Sequence, residues 1–229
     1  DGIISSRLVT EEWRQMFLEV MEQASNDAAA RKAAAEEEER GSSEIFHIPI
    51  SDDLARFIKY ANGVQDPDFR GSGICPWEPV PLGVGIKRFA FPDRVSQQAL
   101  HPDIQASRDV LRSRLEYRLT EMQNVEGAIE EELEFKVGFL TGVGNRQEYT
   151  EWYSAYVYCR RSEDDPAPDH KDWAWRIVLV NASRDQIETL YGRQPIFDTI
   201  PEFLEWYSSW LDYLDIDVMR KDLELDEEE

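Results

Sequence analysis

Apolar positions recur with a helical period at the two ends of the chain and with a strand period between them. Near the start, Trp13, Phe17, Val20, Met21 and Ala24 share one face. Thr10 stands before them as an N-cap, and Glu11 and Glu12 suit the positive end of a helix dipole. This spacing predicts an amphipathic helix. From Asn26 to Ser43 the composition turns to Ala, Glu and Arg, including Glu36 to Glu39. Nothing in that stretch is large and apolar enough to anchor a core, so it reads as a solvated helical extension or a mobile linker ending at Gly41-Ser42-Ser43, the helix with a frayed end being favoured.

A globular body is expected to begin near Ile45. Ile48-Pro49-Ile50 leads to the capping residues Ser51 and Asp52, and Leu54, Phe57, Ile58 and Ala61 follow at i, i+3, i+4 and i+7. Asn62-Gly63 tolerates the left-handed conformation that ends a helix, so a short core helix with both ends marked is predicted. The Pro- and Gly-rich stretch from Asp66 to Pro92 predicts a long loop with one or two short strands, one around Gly85 to Phe91. Asp103 then caps a helix with Ile104, Leu111, Leu115 and Leu119 on one stripe. The stripe continues through Met122, Val125 and Ile129, broken or bent near Gly127.

The second half alternates. Phe135, Val137 and Phe139 are spaced as one face of a strand, and Gly142 to Asn145 supply turn chemistry. Trp152 to Arg160 is dense in Tyr and Val, which suit a pleated surface. Ser162 to Lys171 reads as a loop, Trp173 to Val180 as the next strand, and Gln186 to Tyr191 as a short helix or strand. Thr199 caps a last helix whose apolar face is Ile200, Phe203, Leu204, Tyr207, Trp210, Leu211 and Leu214, with Pro201 in its first turn. The expected fold is α+β: a bent, mostly antiparallel sheet flanked by helices, with an N-terminal helix and a helical insertion. The expected divisions are 1–44 for the first helix and its extension, 45–217 for the α+β domain and 218–229 for an acidic tail.

Composition sharpens this picture. Seven Trp and nine Tyr among 229 residues provide a substantial core, although 31% of residues are charged. The net charge of −22 argues against nucleic acid or an anionic membrane as partner, since both would be repelled, and it fits either a basic protein partner or a chain merely kept soluble by its charge. The segment Asp212 to Glu229 has nine acids and two bases, so it carries −7 and the remainder −15. No apolar run approaches the ~20 residues that span a bilayer. Cys75 and Cys159 cannot build a disulfide framework and lack metal-ligand spacing, so both are expected as buried thiols in a reducing, cytoplasmic setting.

His47, His101 and His170 are far apart and away from the cysteines, and His47, beside an apolar run, is expected in the core or at a strand edge. There is no Gly-x-Ser-x-Gly elbow. Gly83-Val84-Gly85 and Gly142-Val143-Gly144 lack the third glycine or lysine of a phosphate loop and are expected as turns. Glu130 to Glu132 read as solvated charge on a helix surface. No catalytic residue, cofactor or metal site is assigned.

One stretch carries more than composition. Ile48-Pro49-Ile50-Ser51-Asp52-Asp53-Leu54-Ala55-Arg56-Phe57-Ile58-Lys59-Tyr60-Ala61-Asn62-Gly63 resembles the entry motif of the Smi/Knr family of the SUKH superfamily. Pro49, Asp52, Leu54, Phe57, Ile58, Asn62 and Gly63 occupy the matching positions. At the other end, Trp175 to Val180 followed by Ile196-Phe197-Asp198 and Phe203-Leu204-Glu205-Trp206 is similar to the family's closing segment. The resemblance spans Ile45 to Asp215 but is carried by these two ends; the insertion from Asp103 to Glu134 departs from the family core. It implies a non-enzymatic role, as a fungal regulator or scaffold of cell-wall signalling and morphogenesis, or as a bacterial immunity protein that masks a toxin. The acidic ends and the insertion favour the former. An acid-rich hydrolase with two buried carboxylates is the remaining alternative. For a contact surface, Asp66, Asp68, Trp77 and Glu78 combine an aromatic anchor with acid, the alternative being that Trp77 folds inward as a lid on the core.

Overall fold

The computed structural model describes residues 3–4, 11–40, 47–60, 64–65, 73–74, 104–122, 126–130, 132–146, 149–165, 170–181 and 196–211. Among these residues seven strands form one antiparallel sheet in chain order: β1 (Ile3–Ile4), β2 (Val64–Gln65), β3 (Gly73–Ile74), β4 (Leu133–Arg146), β5 (Tyr149–Arg161), β6 (Ala174–Asn181) and β7 (Ile196–Phe197). The long strands β4, β5 and β6 are its body. The helices are α1 (Glu11–Arg40), α2 (Asp52–Phe57), α3 (Ile104–Met122), α4 (Glu126–Glu130) and α5 (Ile200–Leu211). The chain is therefore α+β, with an N-terminal helix and helices inserted before the long strands. No described helix is long and apolar enough to cross a membrane.

Alternation along β5 divides the core in two. Trp152, Tyr156 and Tyr158 join Trp175, Ile177 and Leu179 of β6 in a cluster with Phe17, Val20 and Met21 of α1, Leu54 of α2, Leu111 and Leu115 of α3, and the buried side of α5. Ala155, Val157 and Cys159 face the other way, with Val178, Val180, Met122 and Ile129. Both faces of the sheet are thus apolar, which explains why β6 reads as a nearly unbroken hydrophobic run rather than a half-polar strand.

Phe135 does not share a face with Val137 and Phe139, although period-two spacing places all three together. Phe135 pairs with Cys159 while Val137 pairs with Tyr158, so Lys136 is an extra residue in β4. This bulge moves Phe135 to the second cluster and leaves Val137 and Phe139 in the first. The expected turn at Gly142 to Asn145 is strand as well. It runs on against Ser154 to Thr150, with further register shifts at Leu140/Gly142 and Gly144/Asn145. Glycines inside a strand mark bulges here, not its end.

The helical expectations fare better, with three differences. Phe17, Val20, Met21 and Ala24 are buried as spaced, but the Ala-rich continuation also holds on to the body. Ala29 is buried, and Asn26 both accepts from the Ile48 N–H (2.9 Å) and donates to the Ile48 carbonyl (3.1 Å). Lys32 donates to Glu126 and Glu130 of α4, each at 2.8 Å, and lies 3.8 Å from the centroid of the Phe135 ring. Burial would lower the Lys32 pKa; the two carboxylates outweigh that and hold it above its ordinary value. Glu130 is therefore an ion-pair partner and not simply solvated. Gly127 lies within α4 and does not break that helix. In α5, Trp206 is buried in addition to the anticipated Ile200, Phe203, Tyr207 and Trp210. The expectations for Ala61 to Gly63, for Gly83 to Phe91 and for Gln186 to Tyr191 lie outside the described residues.

Candidate functional site

Pro49, Ser51 and Asp53 are where local capping and long-range tethering coincide. Ser51 Oγ accepts from the Leu54 N–H at 3.2 Å and caps α2, as the sequence predicts. The same oxygen accepts from the Tyr156 hydroxyl of β5 at 2.5 Å. Burial raises the Tyr156 pKa far above its ordinary value, so the phenol remains a donor at neutral pH. Trp175 of β6 donates its indole N–H to the Pro49 carbonyl at 2.7 Å. Asp53 accepts the N–H of Ile200 at 2.5 Å and so joins α2 to the first residue of α5. At that same end Glu202 N–H donates to Thr199 Oγ (3.2 Å) and Glu202 accepts from the Asp198 N–H (3.0 Å).

The only described buried guanidiniums stand at the end of the β5–β6 hairpin: Arg161 and Arg176. Arg176 Nε donates to Asp198 Oδ1 at 2.7 Å, and a terminal nitrogen donates to the carbonyls of Cys159 (2.8 Å) and Asp172 (3.0 Å). His170 adopts a left-handed backbone, φ 61°, and its Nδ1 lies 3.1 Å from the same Asp198 Oδ1. Its carbonyl accepts from the Arg161 N–H at 2.7 Å. Lys171 closes the loop by donating to the carbonyls of Ser162 (2.5 Å) and Asp165.

Cysteine, histidine and aspartate thus meet in one corner, which invites comparison with a nucleophile–base–orienter trio. The electrostatics are those of a structural cluster. Burial pushes the Cys159 thiol up to about 11, against the lowering influence of Arg176. An activated thiol is displaced the other way. His170 faces Asp198, which Arg176 already engages. What this corner can do chemically is hold the β5–β6 hairpin to the β7–α5 junction. Cys159 should therefore resist alkylation. At pH 8 a thiol with a pKa near 11 has about a hundredfold less thiolate than an ordinary one near 9. Iodoacetamide labelling followed by mass spectrometry should find Cys159 unmodified in the folded chain and fully modified in denaturant; rapid labelling of the folded chain would contradict the assignment.

The sequence did not single out Arg176 or Asp198. The available signal was a lone arginine in an otherwise apolar strand, Trp175-Arg176-Ile177-Val178, since a buried cation requires an acid partner. His47, expected in the core or at a strand edge, is exposed at 74% of its side chain, 3.7 Å from Glu22. It sits where Ile48 takes the buried position beside it. Gly142-Val143-Gly144 is part of β4. Asp66, Asp68, Trp77 and Glu78, the expected contact surface, all lie outside the described residues, as do Cys75 and His101. Among the described residues no group of His, Cys, Asp and Glu is arranged to hold a metal ion.

No family model, no curated protein and no solved structure matches the chain.

Proposed function

We propose that the chain is a non-enzymatic protein-interaction module of the Smi/Knr type, a cytoplasmic regulator or scaffold of the cell-wall or morphogenesis kind. One observation carries this reading: the two stretches on which the resemblance rests meet in space. Asp53 of the entry helix holds the Ile200 N–H at the head of the closing helix, 147 positions away, and Pro49 is held by Trp175 of the strand that precedes it. Two motifs that resembled the family separately also have a common structural reason to occur together. The role of such a frame is to present a rigid surface. Net charge supports a basic protein partner over nucleic acid.

The test is capture with the full chain from its source, followed by rebinding of the captured protein in pure form by calorimetry. A defined stoichiometric complex of micromolar affinity or tighter is expected, on the order of −8 kcal/mol, with neither component chemically altered. Turnover of any substrate by the purified chain, or the lack of any protein that rebinds, would remove the proposal. The charge of −22 also suits an immunity protein. A basic nuclease among the captured proteins, silenced by one equivalent of the chain, would favour that role.

A further inference from the structure

We infer that the last turn of α2 is a docking place for the chain's own acidic segment, Asp212 to Glu229. Acids outnumber bases 47 to 25, and Arg14, Arg108, Arg112, Arg160, Arg161 and Arg176 each meet a carboxylate, whereas the exposed Arg31 stands alone on α1 with no aromatic ring or second cation of that kind described beside it. Arg56 and Lys59 are exposed and meet none among the described residues. Beside them Tyr60 is 78% exposed. The three stand at i, i+3 and i+4, so two cations and an aromatic ring share one side of the helix end. Arg56 also complements the negative end of α2, but Lys59 and Tyr60 lie beyond that helix. Of the neighbouring acids, Asp53 is engaged by the Ile200 N–H, and Asp52, one turn before Arg56 on the same side, forms no ion pair with it.

An acidic peptide is the complement of this patch, and the charge of the chain decides which one. The rest of the molecule carries −15 and repels a free acidic partner during diffusion. A tethered segment has no such encounter to make and works at an effective concentration on the order of millimolar. Asp212 to Glu229 carries −7, and Leu223-Glu224-Leu225-Asp226 alternates apolar and acidic groups, as a patch of ring and cations requires. Reach is sufficient. α5 starts against Asp53 and its twelve residues carry its end ~18 Å away. The eighteen residues that follow extend up to ~60 Å.

Zero-length carbodiimide coupling of the full chain at low ionic strength, read by mass spectrometry on the monomer, tests this. Lys32 is the internal control, since its ammonium lies 2.8 Å from Glu126 and Glu130 and must couple to them. Lys59 should couple to a carboxylate between Asp212 and Glu229. That product should fall about fivefold or more in Arg56→Glu and in 0.5 M salt, where the Debye length shrinks to about 4 Å, while the Lys32 products persist. Coupling at Lys32 with none at Lys59 would overturn the inference. So would a Lys59 product to any other acid or between two chains, or one that Arg56→Glu leaves unchanged. None of these outcomes depends on the proposed function.

Discussion

Trp152→Ala should destabilise the chain by about 3–5 kcal/mol, a large part of the ~5–15 kcal/mol that holds a domain folded. Trp152 is fully buried at the end of β5. Its ring meets Phe203, Trp206, Tyr207 and Trp210 of α5 edge-on, with centroids 5.2–6.1 Å apart. Truncation removes the surface against which the whole apolar face of α5 packs, and a backbone helix on one side and a strand on the other limit how far the space closes. The indole brings a cost of its own. Trp152 Nε1 and Trp210 Nε1 are buried with no hydrogen-bond partner among the described residues, and each such group costs about 1–3 kcal/mol relative to water. Trp152→Phe keeps a ring and deletes one unpartnered donor, so it should cost only about 1–2 kcal/mol. Urea unfolding followed by far-UV circular dichroism gives both values, since removing a tryptophan alters the fluorescence signal itself. The account fails if the alanine variant loses less than about 1 kcal/mol or if the phenylalanine variant is equally unstable.

Arg176→Ala is the polar counterpart, with an expected loss of about 2–4 kcal/mol. The guanidinium is buried and bonds a carboxylate and two carbonyls at once, so its removal leaves three acceptors without their donor. The carboxylate side is less sensitive. Asp198 is 55% exposed, and water replaces part of what it loses. Asp198→Asn, which keeps an acceptor oxygen, should therefore cost no more than about 1 kcal/mol. Lysine at position 176 should not restore stability, because an ammonium cannot reproduce a planar fork directed at three oxygens. Amide hydrogen exchange provides the spatial check: in Arg176→Ala the ends of β5 and β6 should lose protection first, while the α1 amides near Phe17 remain protected. An Arg176→Ala variant within about 0.5 kcal/mol of the parent would show that the corner is held by packing alone.

Sequence periodicity carried the helices because their burial is decided locally. The spacing of Phe17, Val20, Met21 and Ala24, or of Ile200, Phe203, Tyr207 and Trp210, defines one face whatever the partner turns out to be. Ser51 and Thr199 were recognisable as caps for the same reason, since each bonds an N–H three residues on. The three long strands were also visible in their Tyr-, Trp- and Val-rich composition. Trp173 to Val180 gave no clue to which face was outward, because both faces of that strand are buried, as they are in β5.

Register and long-range pairing were another matter. Whether Phe135 lies with Val137 depends on an extra residue at Lys136, and a bulge is settled by the hydrogen bonds of the partner strand. Glycines at 142 and 144 break a strand or run through it according to what pairs alongside. The hold of Asp53 on Ile200, of Arg176 on Asp198 and of Lys32 on Glu126 joins positions 147, 22 and 94 apart. No local pattern encodes such pairs. Chain sequence alone settled the helices, their buried faces and the net charge, because each follows from neighbours within about two turns or from simple addition. Tertiary structure decided register and which acids neutralise which bases, because a charge pair exists only once folding brings its members within a few ångströms.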